Sequence, residues 1–243
     1  MKKHKICKIL LVILAIFLCV AFYELLGICV AYKKQPEVSN TTKKETKNGS
    51  WNECSENTER AVIIEKNPEA LLQRVRLIKN AKKEIILSTF AFQSDESGKL
   101  ILGALHDAAD RGVHIRLLVD GMESWIDMEG NPYFYGLSSH ENVEIKLYNK
   151  ANPLKPWKMM GRMHDKYLIA DGKRYILGGR NTYNYFLGDF PGHKNYDRDV
   201  LVVCDEPEKE NSVNQLLEYF ETIWEQEDSG YFHNNKKLAN RKS

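Results

Sequence analysis

The 243-residue sequence lacks the features that mark several common classes of protein. It has five cysteines but no Cys-x-x-Cys pair, so no pattern typical of a zinc cluster is present. It has one long apolar run, which excludes a membrane protein with several spans, and it has no internal repeat. Because 43% of its residues are hydrophobic, the chain nevertheless has enough apolar side chains for a folded core.

The sequence also lacks a large excess of charge. It has 35 Lys and Arg against 33 Asp and Glu, a formal net charge of +2. Six Lys and one Glu fall in the first 34 residues, so the remaining 209 residues carry 29 positive and 32 negative side chains. A general nucleic-acid binder needs clustered positive charge. The near-neutral body therefore disfavours nucleic acid as a partner.

The single apolar run covers residues 9–31 and contains one charge, Glu24. As a helix it would be roughly 34 Å long, enough to span a bilayer core of about 30 Å. A cleaved signal sequence is the alternative, but the length of the run favours an uncleaved anchor. The basic residues 1–8 are expected to stay in the cytoplasm, which predicts a single-pass protein of the cell membrane whose body is extracytoplasmic.

Beyond the anchor we predict a polar linker over residues 32–58, a folded domain over 59–227 and a disordered polar tail over 228–243. Within the domain, apolar runs predict strands and spaced apolar residues predict helices. The predicted strands are 61–64, 84–92, 114–119, 143–148, 163–170, 174–177 and 200–204. One predicted helix starts at a cap formed by Asn67, and two others cover 97–111 and 208–226. Residues 122–142 are expected to be irregular. This alternation predicts an α/β fold.

One segment combines residue types that suit phosphodiester chemistry. His164 and Lys166 are two positions apart in a predicted strand, so they project from the same face. Asp171 ends that strand, and a return strand leads to Gly179 and Asn181. An imidazole can attack phosphorus, while ammonium and amide groups can hold the non-bridging oxygens as negative charge builds. The segment therefore predicts a phosphodiester site that needs no metal or other cofactor.

This pattern, His-x-Lys-x4-Asp followed by Gly-Gly-x-Asn, resembles the HKD signature of the phospholipase D superfamily. The resemblance covers roughly residues 59–230. Over this range the sequence is similar to the N-terminal half of bacterial cardiolipin-synthase-like proteins. It implies a phospholipase D-like mixed sheet, flanked by helices on both faces and preceded by one transmembrane helix. It also implies a phosphodiesterase or phosphatidyltransferase that acts on phosphatidylglycerol or a similar phospholipid.

The resemblance implies a role for each residue of the motif. His164 would be the nucleophile that forms a phosphohistidine intermediate. Lys166 and Asn181 would bind phosphate, and Asp171 would be a supporting member of the catalytic motif.

Two further positions bear on the imidazole and on the phosphate. Asp199 would hold the imidazole from behind and fix its tautomer, with Asp197 as its rival for that role. Gly179 stands where the family often has Ser, so one hydroxyl donor is lost.

The family works with two such motifs, because one His attacks phosphorus and another protonates the leaving oxygen on the opposite side. This chain has one motif, around His164. The site would then be completed by a homodimer or by a second HKD-containing chain, or the chain is an inactive or partner-dependent half of a larger enzyme. A single-motif, dimeric, exported endonuclease of the same superfamily is the alternative function.

A basic and apolar stretch lies just before the motif. It contains the basic residues Lys155, Lys158 and Arg162 together with Trp157, Met159 and Met160. Such a stretch is typical of a segment that contacts an anionic membrane surface, or of a plain loop that packs its aromatic side chain.

Overall fold

The structure is a computed structural model that describes residues 2–33, 39–40, 43–44, 59–206 and 211–233. The chain divides into two compact units, one formed by Met1–Ser55 with Ala151–Gly161 and the other by Glu56–Lys150 with Arg162–Ser243. Most of the predicted linker at 32–58 lies outside the described residues.

The first unit contains a long helix, α1 (Lys2–Lys33), and a short 3-10 helix, Pro156–Lys158. The stretch Lys5–Ala31 of α1 is long and apolar enough to cross a membrane by length and composition. Its large apolar side chains are exposed along the helix, from Ile6 to Val30. The predicted apolar helix is therefore present in the structure.

The second unit is built on one mixed sheet of eight strands. The strands are β1 (Glu59–Ile64), β2 (Glu84–Thr89), β3 (His114–Asp120), β4 (Val143–Tyr148), β5 (Lys166–Ala170), β6 (Arg174–Gly178), β7 (Asp199–Cys204) and β8 (Ser229–Tyr231). Their order is β1-β7-β6-β5-β2-β3-β4-β8. Strands β2, β3 and β4 are parallel to one another, and the other neighbouring pairs are antiparallel.

Helices cover both faces of this sheet. They are α2 (Asn67–Asn80), α3 (Glu96–Asp110), α4 (Gly121–Asp127), α5 (Pro132–Ser138) and α6 (Ser212–Trp224). Helices α2 and α3 supply Leu77 and Leu105 to the core on one face. Helix α6 supplies Val213 and Phe220 to a second core on the other face. The predicted α/β fold with a mixed sheet between helices is confirmed.

Helices α4 and α5 correct the expectation that residues 122–142 are irregular. The Asp120 carboxylate accepts hydrogen bonds from the Met122 and Glu123 N–H groups and so caps α4. Asn131 caps α5, which has Pro132 in its first turn. Each helix has only seven residues, so side-chain periodicity gave little signal, whereas the capping residues were visible.

Several boundaries also differ from the sequence-based prediction. Strand β2 ends at Thr89 and not at 92, and β5 starts at Lys166 and not at 163, so His164 lies just outside the strand in which we expected it. Lys66, and not Asn67, is the N-cap of α2, since the Asn67 side chain is turned into the domain and accepts a hydrogen bond from Arg180. Helix α6 starts at Ser212, and residues 207–210 lie outside the described residues. Strand β8 occupies part of the tail that we expected to be disordered, where Phe232 is buried.

One edge of the sheet collects chain segments that carry polar residues. Strands β2 and β3 end there, β5 and β7 begin there, and β6 ends there, because Thr89 pairs with Lys166 and Gly178 pairs with Asp199. In open α/β sheets, ligands bind outside the carboxyl ends of the parallel strands. We call this edge the site edge.

Candidate active site

His164 lies at the site edge, two residues before β5, and its side chain is exposed. Its imidazole packs edge-on against the Phe90 ring, with the ring centroids 4.6 Å apart and an angle of 65° between the planes. Phe90 directly follows β2. The contact orients the imidazole, and the side chain stays accessible from solvent.

Lys166 is the first residue of β5 and is 5% exposed. Its Nζ donates a 2.7 Å hydrogen bond to the backbone carbonyl oxygen of His164 and lies 5.2 Å from the centroid of the Phe90 ring. The ammonium therefore holds the backbone that carries the imidazole. Since an ammonium has three donors, further N–H groups remain for an anionic ligand.

Asp120 fixes the segment that leads into the motif. It is 1% exposed. Its Oδ1 accepts a 2.9 Å hydrogen bond from Arg162 Nε, and its Oδ2 accepts one of 3.1 Å from the Met163 N–H. The Arg162 guanidinium then lies over the Phe90 ring, 4.9 Å from its centroid.

Sequence reasoning missed Phe90 and treated Asp120 only as part of a strand-ending turn. Both residues stand at the carboxyl ends of parallel strands, β2 and β3. That position was the available signal, because such strand ends are where an α/β sheet presents ligand-binding groups.

The surroundings of the site lower the pKa values of His164 and Lys166. Desolvation lowers the pKa of the His164 imidazole, and the charge of Lys166 lowers it further. Desolvation also lowers the pKa of the Lys166 ammonium. A lowered pKa keeps more of the imidazole neutral near pH 7, which is the form that has a lone pair for nucleophilic attack.

Asn181 lies beyond β6 and is 6% exposed. Its Oδ1 accepts a 3.3 Å hydrogen bond from the Ala91 N–H, one residue after Phe90. A backbone bridge between Phe92 and Thr182 joins the same two segments. With its carbonyl oxygen held in this way, the amide has its Nδ2 as the group that can donate to a ligand.

The glycine at position 179 has a physical reason in this structure. A Cβ atom on Gly179 would lie 2.8 Å from Asp197 Oδ1 and closer still to Oδ2. The Asp197 carboxylate therefore takes the space in which a Ser side chain would begin. Asp197 also acts electrostatically on Lys166, favouring its charged form.

Asp199 is the first residue of β7 and is 2% exposed. Its Oδ2 lies 2.9 Å from Arg74 Nη1 and 3.2 Å from Arg180 Nη1, and both guanidinium groups are buried. Its Oδ1 has no hydrogen-bond partner among the described residues. The structure thus gives Asp199 two arginine partners, while Asp197 faces Gly179 and Lys166.

Asp171 lies at the opposite end of β5 from His164. With seven residue steps between them, the two are separated by roughly 23 Å of extended chain. The Asp171 carboxylate accepts hydrogen bonds from the backbone N–H groups of Lys82, Lys83 and Glu84, just before and at the start of β2. Asp171 and Gly172 both have positive φ angles, 55° and 61°, in the turn that joins β5 to β6.

The structure therefore brings His164, Lys166, Asn181 and Asp197 to the site edge and leaves Asp171 at the far edge. In the described part of the chain, no three His, Cys, Asp or Glu side chains are grouped as metal ligands would be. The site edge offers a nucleophile, a cation and an amide donor, which together can hold and attack a phosphate diester.

Comparison with known protein families decides the relationship. A family model described as the PLD-like domain of cardiolipin synthase matches residues 74–224. The chain belongs to the phospholipase D superfamily. Cardiolipin synthase C of Escherichia coli is 29% identical over 171 residues, covering 65% of this chain and 34% of that protein. Cardiolipin synthase 1 of Staphylococcus aureus (strain MRSA252) is 34% identical over 117 residues, covering 48% of this chain and 23% of that protein. The chain thus matches about a third or a quarter of the length of these superfamily relatives.

Solved structures confirm the phospholipase D fold. The phospholipase D family member Nuc from Salmonella typhimurium aligns with a TM-score of 0.51 and 20% identity, covering 72% of this chain and 98% of Nuc. The phosphatidylserine synthase of Haemophilus influenzae aligns with a TM-score of 0.56 and 19% identity, covering 79% of this chain and 43% of that protein. At these identities the likeness concerns the fold.

Proposed function

We propose that this chain is a membrane-anchored phospholipase D-type enzyme that cleaves or transfers the phosphatidyl groups of phospholipids such as phosphatidylglycerol. The observation that carries the proposal is that Lys166 binds the His164 backbone while Asn181 binds the residue next to Phe90, the ring that His164 contacts. Two further facts support a lipid substrate, namely the cardiolipin synthase relatives and the apolar helix α1.

The proposed reaction has two steps. In the first, the neutral His164 imidazole attacks phosphorus, the bond from phosphorus to the headgroup oxygen breaks, and that oxygen leaves as an alcohol after it takes up a proton. In the second, water or a lipid hydroxyl attacks phosphorus, and the bond from phosphorus to the imidazole nitrogen breaks. The proton of the attacking group passes to the residue that protonated the headgroup oxygen, and the neutral imidazole is restored. Water gives phosphatidate, and the hydroxyl of a second phosphatidylglycerol gives cardiolipin. Lys166 and Asn181 hold the non-bridging oxygens in both steps.

The first step needs a proton donor on the side of phosphorus opposite His164. We propose that a second copy of this chain supplies it, through its own His164. An HKD-containing partner chain is the alternative source. Mixing the wild-type chain with an excess of His164→Ala chain distinguishes the two, because subunit exchange in a homodimer lowers the activity of the mixture below that of the wild-type chain it contains.

The two carboxylates near β7 receive different proposed roles. We assign Asp197 to the site, where it favours the charged form of Lys166. Asp199 is bound by Arg74 and Arg180, and we assign it mainly to holding the start of β7. Because its Oδ1 has no hydrogen-bond partner among the described residues, we retain the prediction that Asp199 also orients the imidazole.

The experiment is an assay of the full chain, reconstituted in phosphatidylglycerol vesicles, with products identified by mass spectrometry. We expect phosphatidate or cardiolipin from the wild type and neither from the His164→Ala control. Single-stranded DNA is tested in parallel at several salt concentrations. Cleavage of DNA, with a rate that falls steeply with salt and no lipid product, would replace this proposal with the nuclease alternative.

A further inference from the structure

The first compact unit includes residues 151–161 in addition to α1. These residues, which we call the anchor loop, connect β4 to the segment of the HKD motif and contain the 3-10 helix Pro156–Lys158. The anchor loop packs along the C-terminal part of α1.

Two close contacts fix the anchor loop on α1. Tyr23 Oη donates a 3.1 Å hydrogen bond to the carbonyl oxygen of Leu154. One turn further along the helix, a Cβ atom on Gly27 would lie 2.7 Å from Pro156 Cβ and 3.1 Å from the backbone nitrogen of Trp157. Only glycine at position 27 allows this approach, so the contact depends on a specific residue of α1.

The covered face of α1 differs from the rest of the helix. Ala21, Glu24, Gly27 and Ala31 recur at intervals of three or four residues, so they share one face, and all four are less exposed than the large apolar side chains around them. Glu24 is the one charge of the apolar run. Ionisable residues within membrane spans typically face protein and not lipid, and the reduced exposure of Glu24 agrees with this rule.

The depth of these contacts follows from helix geometry. Tyr23 and Gly27 lie eight and four residues before Ala31, the end of the apolar stretch, which is roughly 12 and 6 Å along the helix axis. The whole stretch is about 40 Å long and exceeds a hydrocarbon core of about 30 Å. If α1 spans the bilayer, the anchor loop therefore lies at the level of the headgroups and upper acyl chains.

The anchor loop has side chains that suit this level. Leu154 is 79% exposed, Met160 is 52% exposed and Trp157 is 45% exposed. The charged residues of the loop are Lys155 and Lys158, both positive. Trp is enriched at membrane interfaces, and the long stems of Lys allow the charge to reach anionic headgroups.

We propose that the anchor loop is a membrane-inserted segment that docks on α1. It places Leu154, Trp157 and Met160 among the phospholipids of the leaflet that contains the C-terminal end of α1. The inference rests on the membrane anchor of the proposed function and is independent of the chemistry at His164. The chain would then attach to the membrane through two elements, the helix α1 and the anchor loop at the interface.

The test measures the fluorescence of Trp157 in the full chain, reconstituted in vesicles of phosphatidylcholine and phosphatidylglycerol. The signal of Trp157 is obtained as the difference between the wild type and Trp157→Phe. Doxyl-labelled lipids report depth and iodide reports contact with water. We expect lipids labelled near the headgroup to quench Trp157 at least about twofold more than lipids labelled at the chain ends, and iodide to quench it weakly.

A matched pair of variants ties the result to the docking contact. Gly27→Val places a Val side chain against Pro156, whereas Cys29→Val places the same side chain at an exposed position of α1. Both variants keep the helix apolar, so both are expected to stay with the vesicles after an alkaline wash. Gly27→Val is expected to lose the quenching by headgroup-labelled lipid at least about twofold, and Cys29→Val to keep it.

Three outcomes would overturn the proposal. Strong quenching of Trp157 by iodide, in a chain that resists the alkaline wash, would place the loop in water. Protection from both iodide and lipid quenchers would indicate a protein contact instead. Release of the chain by the wash would remove the anchor on which the inference rests. The His164→Ala chain should give the same quenching as the wild type, so failure of the lipid chemistry and failure of this inference are distinguishable.

Discussion

The two ends of strand β5 carry parts of one motif and hold them in different ways. At the site edge, His164 keeps its imidazole exposed against Phe90, and Lys166 binds the His164 backbone with donors to spare. At the far edge, the Asp171 carboxylate is taken up by three backbone N–H groups at the start of β2. One sequence pattern thus places an exposed imidazole at one end of β5 and, at the other end, a carboxylate that fixes the strand to its neighbour.

The largest expected effect comes from removing the imidazole at the site edge. We expect His164→Ala to lower phosphatidylglycerol turnover by on the order of 10³-fold or more, since the nucleophile is removed. Because the side chain is exposed, the midpoint of thermal unfolding should stay unchanged. Turnover within about tenfold of the wild type would show that another group attacks phosphorus.

The second prediction compares two carboxylates at the site edge. Asp199→Asn weakens a buried pairing with Arg74 and Arg180, and we expect it to lower the free energy of unfolding by about 3–5 kcal/mol, measured by denaturant titration. The matched variant Asp197→Asn should change it by less than about 1 kcal/mol and instead lower turnover. Equal losses of stability in the two variants would contradict the roles assigned to them.

The third prediction concerns the far edge. Asp171→Ala leaves three N–H groups without their acceptor and puts Ala at a φ of 55°, so the free energy of unfolding should fall by about 1–3 kcal/mol. Turnover per folded molecule should stay within about threefold of the wild type. Asp171→Asn, which tolerates the positive φ, should lose less stability than Asp171→Ala. A fall in turnover comparable to that of His164→Ala, with stability intact, would place Asp171 in the chemistry.

The smallest expected effect concerns pH. The attacking imidazole must be neutral, so activity is lost as the pH falls through the pKa of His164. Since desolvation and Lys166 lower that pKa, the acid limb of kcat/KM should lie below about pH 6.5. In the residual activity of Lys166→Met, the limb should move to higher pH because one of the groups that lowers the pKa is gone. A limb that stays fixed or moves to lower pH would contradict the electrostatic link between the two residues.

Sequence patterns predicted much of the fold because long apolar runs reveal buried strands. The strands 114–119, 143–148 and 174–177 match the structure to within one residue at each end. Strand β8 was not predictable in this way, since it has three residues and is fixed by pairing with β4, far away in sequence. Helices α4 and α5 depend on caps at Asp120 and Asn131, and not on periodicity.

The site itself was predictable only where the motif defines it. The spacing of His164, Lys166 and Asp171 indicated which residues to consider, but not that Asp171 faces away from the site edge. Phe90 and Asp120 reach the site through strands that are distant in sequence, so only the strand order brings them to the motif. The contact between Asp197 and Gly179 likewise requires the pairing of β6 with β7.

The most direct test of the central claim is the detection of the covalent intermediate. The full chain is mixed with phosphatidylglycerol vesicles, quenched at alkaline pH on the time scale of a single turnover, digested and analysed by mass spectrometry. The account predicts a phosphatidyl adduct on the peptide that contains His164, which forms more slowly in the Lys166→Met chain and is absent from the His164→Ala chain. Turnover of phosphatidylglycerol with the adduct on another residue, or at an undiminished rate in His164→Ala, would contradict the account.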